Sequence, residues 1–397
     1  MSSWLVLALV TVAHALGALS VLSLAPLSPF LLDALQLSRA QVGLFLPAVY
    51  LGGVLMSLPA GWLTDRLGVR LTLGGGLLLI GVLVVAASSM RTLPTLLGAL
   101  VVAGFGFSVL NPSTGKAVVE WFPPRGRGLA MGIKQTGLTL GGLTGALALP
   151  PMALALGWRD ALAAAGGVSI VAGALVLAVY RRPAAPAAAT ATTWPRLGEL
   201  SVFMRRPGVI VVFLSGLALS TAQSSVLAYL TLYAKETFAV SAVSAGQVLA
   251  VAQLGGTAAR LAWGAASDRF FGGRRRPGVV ASALVGAMAY AVFALGPDLP
   301  RPAIVPLAFV AGAGAFGWVG LYFALVAEIG GARYAGLLTG VAVAFAWSGV
   351  LVGPPLFGLL VGLTGSYTWP WLTLAIVATL VAITLPQLKP LVQREPA

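Results

Sequence analysis

The segment Gly61-Trp-Leu-Thr-Asp65-Arg66-Leu-Gly68-Val-Arg70 is a short charged stretch between two long apolar runs. A related segment follows in the second half of the chain, Gly264-Ala-Ala-Ser-Asp268-Arg269-Phe-Phe-Gly272-Gly273-Arg274. Asp65 and Asp268 are 203 residues apart, about half of the chain's 397 residues. A repeat of this length indicates two related halves.

The composition is that of a membrane protein. Hydrophobic residues make up 59% of the chain and charged residues only 9%, whereas a soluble domain carries about 25% charged residues. The chain has no cysteine and one histidine, His14, so no disulfide framework, catalytic triad or metal cluster is expected. The net charge of +14 is spread through short loops, which argues against a nucleic-acid partner.

Apolar runs long enough to cross a bilayer of about 30 Å recur along the chain. Six lie in the first half, at 4–30, 42–63, 71–89, 93–115, 128–156 and 160–180. Six lie in the second half, at 208–233, 245–266, 278–296, 303–327, 335–363 and 369–386. They predict an all-α membrane protein with twelve transmembrane helices in two pseudo-symmetric six-helix bundles.

The predicted domains are an N-terminal bundle at 1–180, a cytoplasmic linker at 181–207 and a C-terminal bundle at 208–397. The linker is rich in Pro and Ala, and Leu197–Met204 is a candidate interfacial helix. Most of the 24 lysines and arginines fall in loops on one side, which the positive-inside rule assigns to the cytoplasm. Both termini are therefore expected there.

The repeated charged segment resembles the signature loop of the major facilitator superfamily, Gly-x-x-x-Asp-Arg-x-Gly-x-Arg, and the resemblance covers essentially the whole chain. It implies a transporter whose halves rock between two states. The gating residues it indicates are Gly61, Asp65, Arg66, Gly68, Arg70, Gly264, Asp268 and Arg269. The resemblance suggests that the aspartate caps or pairs at a helix end while the arginine pairs with a neighbouring helix. The alternative is a solvated hairpin that only fixes topology.

A second repeat joins spans five and eleven, where Gly128, Gly132, Gly141 and Gly145 match Gly336, Gly340, Gly349 and Gly353 at an offset of 208. Glycines at this spacing let helix backbones approach closely. The superfamily's antiporter motif has similar spacing, but the proline is missing here, and helix packing suffices to explain the pattern.

Three cations lie inside predicted spans, Lys116, Lys134 and Arg260, while every carboxylate lies in a loop or at a helix end. A charge inside a span costs at least about 2.5–3.5 kcal/mol and is usually functional. Lys116 has Glu120 at i+4 as a predicted partner. Lys134 either snorkels to the membrane surface or, like Arg260, binds an anion. Arg260 has a further alternative, the network around Asp268 and Arg269.

Arg260-Leu-Ala-Trp-Gly264 resembles span eight of monocarboxylate and oxalate/formate carriers. Trp121–Gly137 is similar to bacterial organic-anion and cyanate/nitrate-like carriers. Two features depart from these families. Gly256 stands where many proton-coupled monocarboxylate carriers have an aspartate, and the nitrate carriers' span-five signature is absent.

Other polar residues inside the spans are candidates for the substrate site. Asn111, beside Pro112, either lines a cavity or ties span four to a neighbour. His14 is a candidate proton site, with plain packing as the alternative. The remaining predicted lining residues are Tyr50, Gln223, Tyr229, Gln253, Tyr322 and Trp347.

The function expected from these features is secondary active transport of a small organic anion, a mono- or dicarboxylate, across the cell inner membrane. The coupling ion would be a proton or a counter-anion. No cofactor, metal or enzymatic activity is expected, and the protein would act as a monomer in the lipid bilayer. The alternative is an exporter of amphipathic drugs, although such exporters commonly carry an intramembrane carboxylate.

Overall fold

The computed structural model of the protein describes residues 2–123, 127–181, 204–205 and 207–388, and at 58, 127–129, 207, 268 and 331–337 it describes the backbone alone. The predicted linker and its interfacial helix therefore lie almost wholly outside the described residues. The described part is nearly all helical and contains no strand.

Thirteen α-helices follow one another along the described chain. Those of the first half are α1 Ser3–Leu22, α2 Leu24–Ala34, α3 Arg39–Val42, α4 Phe45–Ser88, α5 Leu93–Trp121, α6 Arg127–Leu156 and α7 Trp158–Val179. Those of the second half are α8 Pro207–Phe238, α9 Ala242–Arg269, α10 Arg276–Phe293, α11 Ile304–Phe316, α12 Val319–Thr364 and α13 Thr368–Gln387. Two short 3-10 turns, Gly296–Asp298 and Arg301–Ala303, precede α11.

The helices confirm the predicted all-α membrane fold. Eleven described segments are long and apolar enough to cross a membrane. The twelfth predicted span, 245–266, lies within α9, which has 28 residues and is less apolar than the others. At 1.5 Å per residue it is also long enough to cross the bilayer.

Helix breaks differ from the predicted span limits in three places. Span one is divided between α1 and α2 next to Ser23, because Pro26 has no N–H to bond the carbonyl of Leu22. Spans two and three run together in α4, which breaks at Gly68, where φ is +79°. Spans ten and eleven share α12, while the start of span ten forms the separate helix α11.

The described residues form two compact units, one within Met1–Thr190 and Ala239–Ala250 and one within Ala191–Phe238 and Val251–Ala397. In the first unit α1 packs on α6, and α4 packs on both α5 and α7. In the second unit α8 packs on α12, and α10 packs on both α11 and α13. Helices that occupy equivalent places in the two halves of the sequence therefore contact each other in both units. The predicted domain limits at 180 and 208 stay a prediction.

Close helix crossings recur at the same two offsets. In the first unit, a methyl group on Gly104 would overlap the backbone oxygen of Val49. In the second unit, a methyl group on Gly312 would overlap the backbone oxygen of Ala252. Gly312 lies 208 residues after Gly104, and Ala252 lies 203 after Val49. Each unit therefore repeats the crossing of its second and fourth spans.

The span-five and span-eleven glycines behave in part as predicted. A methyl on Gly141 would overlap the backbone oxygen of Ala15 in α1, and one on Gly349 would overlap that of Leu217 in α8. Gly132 and Gly340 have open space where a methyl would stand. A methyl on Gly353 would lie 2.7 Å from the backbone oxygen of Thr221, whereas Gly145 has only ordinary contacts. The close-approach prediction is therefore right for the pair Gly141 and Gly349, wrong for Gly132 and Gly340 and right only in the second half for Gly145 and Gly353; at Gly128 and Gly336 the structure describes the backbone alone.

Candidate functional site

Lys134 is buried in the first unit, with 5% of its surface exposed. Its Nζ donates to the side-chain oxygen of Asn111, to the backbone oxygen of Asn111 (3.5 Å) and to Oγ1 of Thr114 (3.4 Å). Asn111 and Thr114 lie one turn apart on α5, and Lys134 lies on α6. The snorkelling alternative for Lys134 is therefore wrong, since the ammonium is held inside the helix bundle.

His14 lies beside this cluster on α1. It is 3% exposed, it interacts with both the charge and the backbone of Lys134, and its Nδ1 has no hydrogen-bond partner among the described residues. A methyl on Gly137 would come within 3.2 Å of the His14 Cβ, so glycine at this position lets α1 and α6 meet here. Oγ1 of Thr11, one turn before His14, is also buried, and the described part of the chain offers it no hydrogen-bond partner.

We refer to His14, Asn111, Thr114 and Lys134 as the Lys134 cluster. Its chemistry is that of a cation surrounded by neutral groups, since every described acceptor of the ammonium is an amide, carbonyl or hydroxyl oxygen. Asn111 is exposed at its other side. Both predicted roles of Asn111 are therefore compatible with the structure, because it ties span four to span five and also presents polar atoms at the surface of α5.

Arg260 occupies a different environment in the second unit. Its Nε donates to the backbone oxygen of Phe316 at 2.9 Å, and Phe316 is the last residue of α11. The side chain thus satisfies one of the carbonyls left over at a helix C-terminus. A methyl on Gly256 would lie 2.5 Å from the Phe316 Cβ, so an aspartate at this position would require Phe316 to shift.

The other predicted lining residues fall into two groups. Tyr229 and Tyr322 are fully buried, Tyr229 stacking on Phe357 at 4.7 Å and Tyr322 packing edge-on against Trp318. Both are packed against aromatic neighbours here, and their role as cavity-lining residues stays a prediction. Gln253 is buried, with its Nε2 lacking a described partner.

Tyr50, Gln223 and Trp347 are half-buried. Tyr50 packs against Phe107, with ring centroids 5.8 Å apart. The Oε1 of Gln223 is buried without a described partner. These contacts leave their predicted role in the substrate site open.

The first charged segment forms a network between helices. Oδ1 of Asp65 accepts from Nζ of Lys116 at 2.9 Å, and Lys116 also donates to the backbone oxygen of Thr64 at 3.1 Å. The predicted Lys116–Glu120 pair is therefore corrected. Lys116 reaches across from α5 to α4, and Glu120 instead accepts from the Tyr180 hydroxyl at 3.4 Å.

The two arginines of this segment have different partners. Arg66 lies 5.2 Å over the ring of Trp62 on its own helix, so the prediction that it pairs with a neighbouring helix is wrong. Arg70 makes that connection instead, donating to the backbone oxygen of Leu177 near the end of α7. Gly68 breaks α4 between them at a positive φ that favours glycine. Gly61, like Gly264, has open space where a methyl would stand.

In the second charged segment the described contacts centre on Arg275. Arg275 donates through Nε to Oε1 of Glu328 and through its terminal nitrogen to Oγ of Ser267, both at 3.1 Å. Gly272 and Gly273 both have positive φ, as Gly68 does. Arg269 is exposed, and the side chain of Asp268 lies outside the described residues.

Sequence reasoning missed several residues that the structure brings into these sites. Thr114 was not considered for the substrate cluster, although it lies at i+3 from Asn111. The ion pair between Arg275 and Glu328 was not predicted either. No sequence signal marks the Arg275–Glu328 pair, since its members are 53 residues apart.

Comparisons with known proteins agree with this architecture. The model of the Major Facilitator Superfamily matches residues 8–349. An uncharacterized MFS-type transporter of Mycobacterium tuberculosis is 26% identical over 372 residues, covering 90% of this chain and 79% of the relative. The hexuronate transporter of Bacillus subtilis is 30% identical over 140 residues, 35% of this chain and 33% of the relative. Among solved structures, a D-xylose-proton symporter superposes with a TM-score of 0.79 at 15% identity, covering 97% of each chain.

Proposed function

The chain belongs to the Major Facilitator Superfamily, and on that basis we propose that it is a secondary active transporter of a small organic anion, a mono- or dicarboxylate. Transport proceeds by alternating access, as the two halves open in turn to either side of the plasma membrane. Both termini lie in the cytoplasm, and a proton or a counter-anion is the coupling ion.

The observation that carries this proposal is the environment of Lys134. A buried ammonium with only neutral oxygen acceptors among the described residues lacks the negative charge that buried cations usually pair with. A substrate carboxylate can supply that charge. Asn111 can donate to the substrate through Nδ2 while its Oδ1 still accepts from Lys134. An amide allows this because it has an acceptor at one end and donors at the other.

Names of relatives support the same substrate class. The Bacillus subtilis relative is a hexuronate transporter, and the galacturonate transporter of Dickeya chrysanthemi is 28% identical over 188 residues. Both names denote sugar acids, which carry one carboxylate and several hydroxyls. The hydroxyl of Thr114 and the amide of Asn111 would suit such a polyhydroxylated carboxylate.

His14 is the proposed protonation site. It is the only side chain in the sequence whose unperturbed pKa lies near neutrality, and its Nδ1, which has no hydrogen-bond partner among the described residues, lies in the Lys134 cluster. A proton on His14 would add a second positive charge beside Lys134. Anion binding and proton binding would then favour each other.

Ligand binding to the purified protein tests the proposal. Thermal unfolding in the presence of hexuronates, mono- and dicarboxylates, inorganic anions and cationic drugs should show stabilisation by a carboxylate. Lys134→Met should weaken that carboxylate's binding by about thirtyfold or more, since truncating one member of a buried charge pair costs about 2–5 kcal/mol. Without ligand the variant should be as stable as the wild type, because an apolar chain of similar length replaces a buried charge.

Lys235→Gln is the matched control, because Lys235 lies in the last turn of α8, far along the chain from the cluster. It should bind the carboxylate as the wild type does. Stabilisation by cationic drugs alone would support the exporter alternative and overturn the anion proposal. Equal carboxylate affinity in Lys134→Met and wild type would remove Lys134 from the site.

A further inference from the structure

Two buried polar atoms on α1 have no hydrogen-bond partner in the described part of the chain. They are Oγ1 of Thr11 and Nδ1 of His14. The two residues are three positions apart, and residues at this spacing lie next to each other on one side of an α-helix. Buried polar groups of folded proteins nearly always have a partner. Two exceptions one turn apart therefore indicate a place where a further polar group binds.

The hydroxyl of Thr11 differs from those of other threonines within the helices of this protein. Thr64 donates to the backbone oxygen of Ala60, and Thr144 donates to that of Leu140, each at 2.8 Å. Such a bond to the preceding turn is a common way for a helical threonine to satisfy its hydroxyl. Thr11 has no bond of this kind among the described residues. Its hydroxyl can therefore pair with a group outside α1.

Contacts between α1 and α6 place Thr11 and His14 beside the buried ammonium. A methyl on Gly137, three residues after Lys134, would lie 2.7 Å from the backbone oxygen of Thr11 and 3.2 Å from the His14 Cβ. His14 also interacts with the charge and the backbone of Lys134. A substrate whose carboxylate binds Lys134 would thus bring the carbon next to that carboxylate close to Thr11 and His14.

We infer that Oγ1 of Thr11 and Nδ1 of His14 together bind a hydroxyl group of the substrate, so that the site selects 2-hydroxycarboxylates over carboxylates that lack this hydroxyl. The inference rests on the carboxylate site proposed at Lys134. A hydroxyl suits the pair because it donates one hydrogen bond and also accepts. It donates to Nδ1 when His14 is neutral and accepts from Nδ1 when His14 is protonated, and the Thr11 hydroxyl takes the opposite role.

Selectivity follows from what the other acids would leave unpaired. A carboxylate without the hydroxyl would leave both buried atoms without a partner in the complex, and a site built for a hydroxyl rejects such an analogue for this reason. Two hydrogen bonds between neutral groups correspond to a preference of about tenfold or more for the hydroxylated acid. A bridging water is the competing occupant. It would bind beside either acid and would give no such preference.

The experiment measures the affinity of the full-length protein in detergent, by calorimetric titration, for pairs of acids that differ only in the 2-hydroxyl. The pairs are lactate and propionate, malate and succinate, and gluconate and 2-deoxygluconate. In the pair that fits the site, the wild type should bind the hydroxylated acid about tenfold more tightly or better. Thr11→Val removes the hydroxyl with little change in shape and should bring the ratio close to one. Thr11→Ser keeps a hydroxyl and should retain most of the preference.

Thr231→Val is the matched control. Oγ1 of Thr231 is likewise buried with no partner among the described residues, but Thr231 lies on α8 in the second unit. This variant should keep the wild-type preference. Both valine variants should be at least as stable as the wild type in thermal unfolding, because each loses a buried hydroxyl whose hydrogen bond is not made among the described residues.

The outcomes separate this inference from the proposed function. Equal affinities within every pair for the wild type, an unchanged preference in Thr11→Val, or equal losses of preference in Thr11→Val and Thr231→Val would each overturn the hydroxyl site and leave the carboxylate site standing. If the wild type bound none of these acids, with or without the hydroxyl, the carboxylate site at Lys134 would fall, and the hydroxyl site with it.

Discussion

A single buried ammonium, that of Lys134, carries the proposed chemistry. Placing a charge inside a membrane span costs at least about 2.5–3.5 kcal/mol, and the described acceptors of this ammonium carry no formal charge. A bound carboxylate would add the attraction of an opposite charge. The unoccupied site is thus expected to be less stable than the occupied one, which is the condition for a ligand to stabilise the fold.

A second prediction about a single residue concerns Arg260. Arg260→Gln removes the donor to the carbonyl of Phe316, and leaving such a buried acceptor unsatisfied costs about 1–3 kcal/mol. We expect a lower unfolding temperature and a smaller loss of carboxylate affinity than in Lys134→Met. Thermal unfolding and ligand titration of both variants measure the two effects. Unchanged stability with abolished binding would assign Arg260 to the substrate instead.

The sequence shows that Lys134 lies inside a span, because an isolated cation in an apolar run is visible directly. It does not show that Asn111 and Thr114 hold the ammonium, since these partners lie on another helix, 23 and 20 residues earlier. The rotation of α5 about its axis decides which polar residues face α6. That rotation depends on packing among several helices, so one sequence does not fix it.

Helix crossings within each unit depend on glycines that touch a neighbouring backbone. Gly141 on α6 packs against Ala15 on α1, whereas Gly132, on the same helix, has open space around it. Gly141→Ala should therefore destabilise the protein by about 1–3 kcal/mol, the usual cost of overpacking. Gly132→Ala should be neutral or slightly stabilising, because alanine favours helix.

Thermal or denaturant unfolding of these two variants, with Gly349→Ala and Gly340→Ala as the matching pair in the second half, measures the difference. The second pair should repeat the first, since Gly349 meets the backbone of Leu217 and Gly340 meets nothing within 4 Å. Equal effects of Gly141→Ala and Gly132→Ala would show that the crossing at Ala15 is looser than described.

The glycine spacing was enough to predict that spans five and eleven contact other helices, but not which glycines make contact. The equivalent crossings at Gly104 and Gly312 were not predicted, because single glycines in an apolar run have no distinctive spacing. The helix break at Gly68 was easier to predict from the sequence. A glycine after a charged pair between two apolar runs is a common turn signal, and its φ of +79° agrees with it.

The whole molecule is built from two units with equivalent internal packing, as the offsets of 203 and 208 residues predicted. The charge pairs among the described side chains differ between the units, however. The first unit pairs Asp65 with Lys116, and the second pairs Arg275 with Glu328. The arrangement of helices in two halves was predictable because apolar runs and repeats can be seen directly in the sequence. The networks were not, because their members are brought together only by folding.

The Asp65–Lys116 pair yields a prediction about the transport cycle. The pair is partly exposed, at 68% for Asp65, so Asp65→Asn should change stability by no more than about 1 kcal/mol. If the pair stabilises one of two alternating states by a similar amount, its loss shifts their ratio by about fivefold. Transport should then slow while substrate still binds. The exchange Asp65→Lys with Lys116→Asp should recover part of the rate, and a fall in stability without a change in rate would contradict the gating role.

Transport itself tests the central claim most directly. Wild type, Lys134→Met and Lys235→Gln are reconstituted at equal density in proteoliposomes, and uptake of labelled hexuronate and of short mono- and dicarboxylates is followed with and without a proton gradient. We expect saturable uptake of a carboxylate by wild type and Lys235→Gln, and background uptake by Lys134→Met. Carboxylate uptake by Lys134→Met at the wild-type rate, or transport of cationic compounds alone by the wild type, would contradict the account.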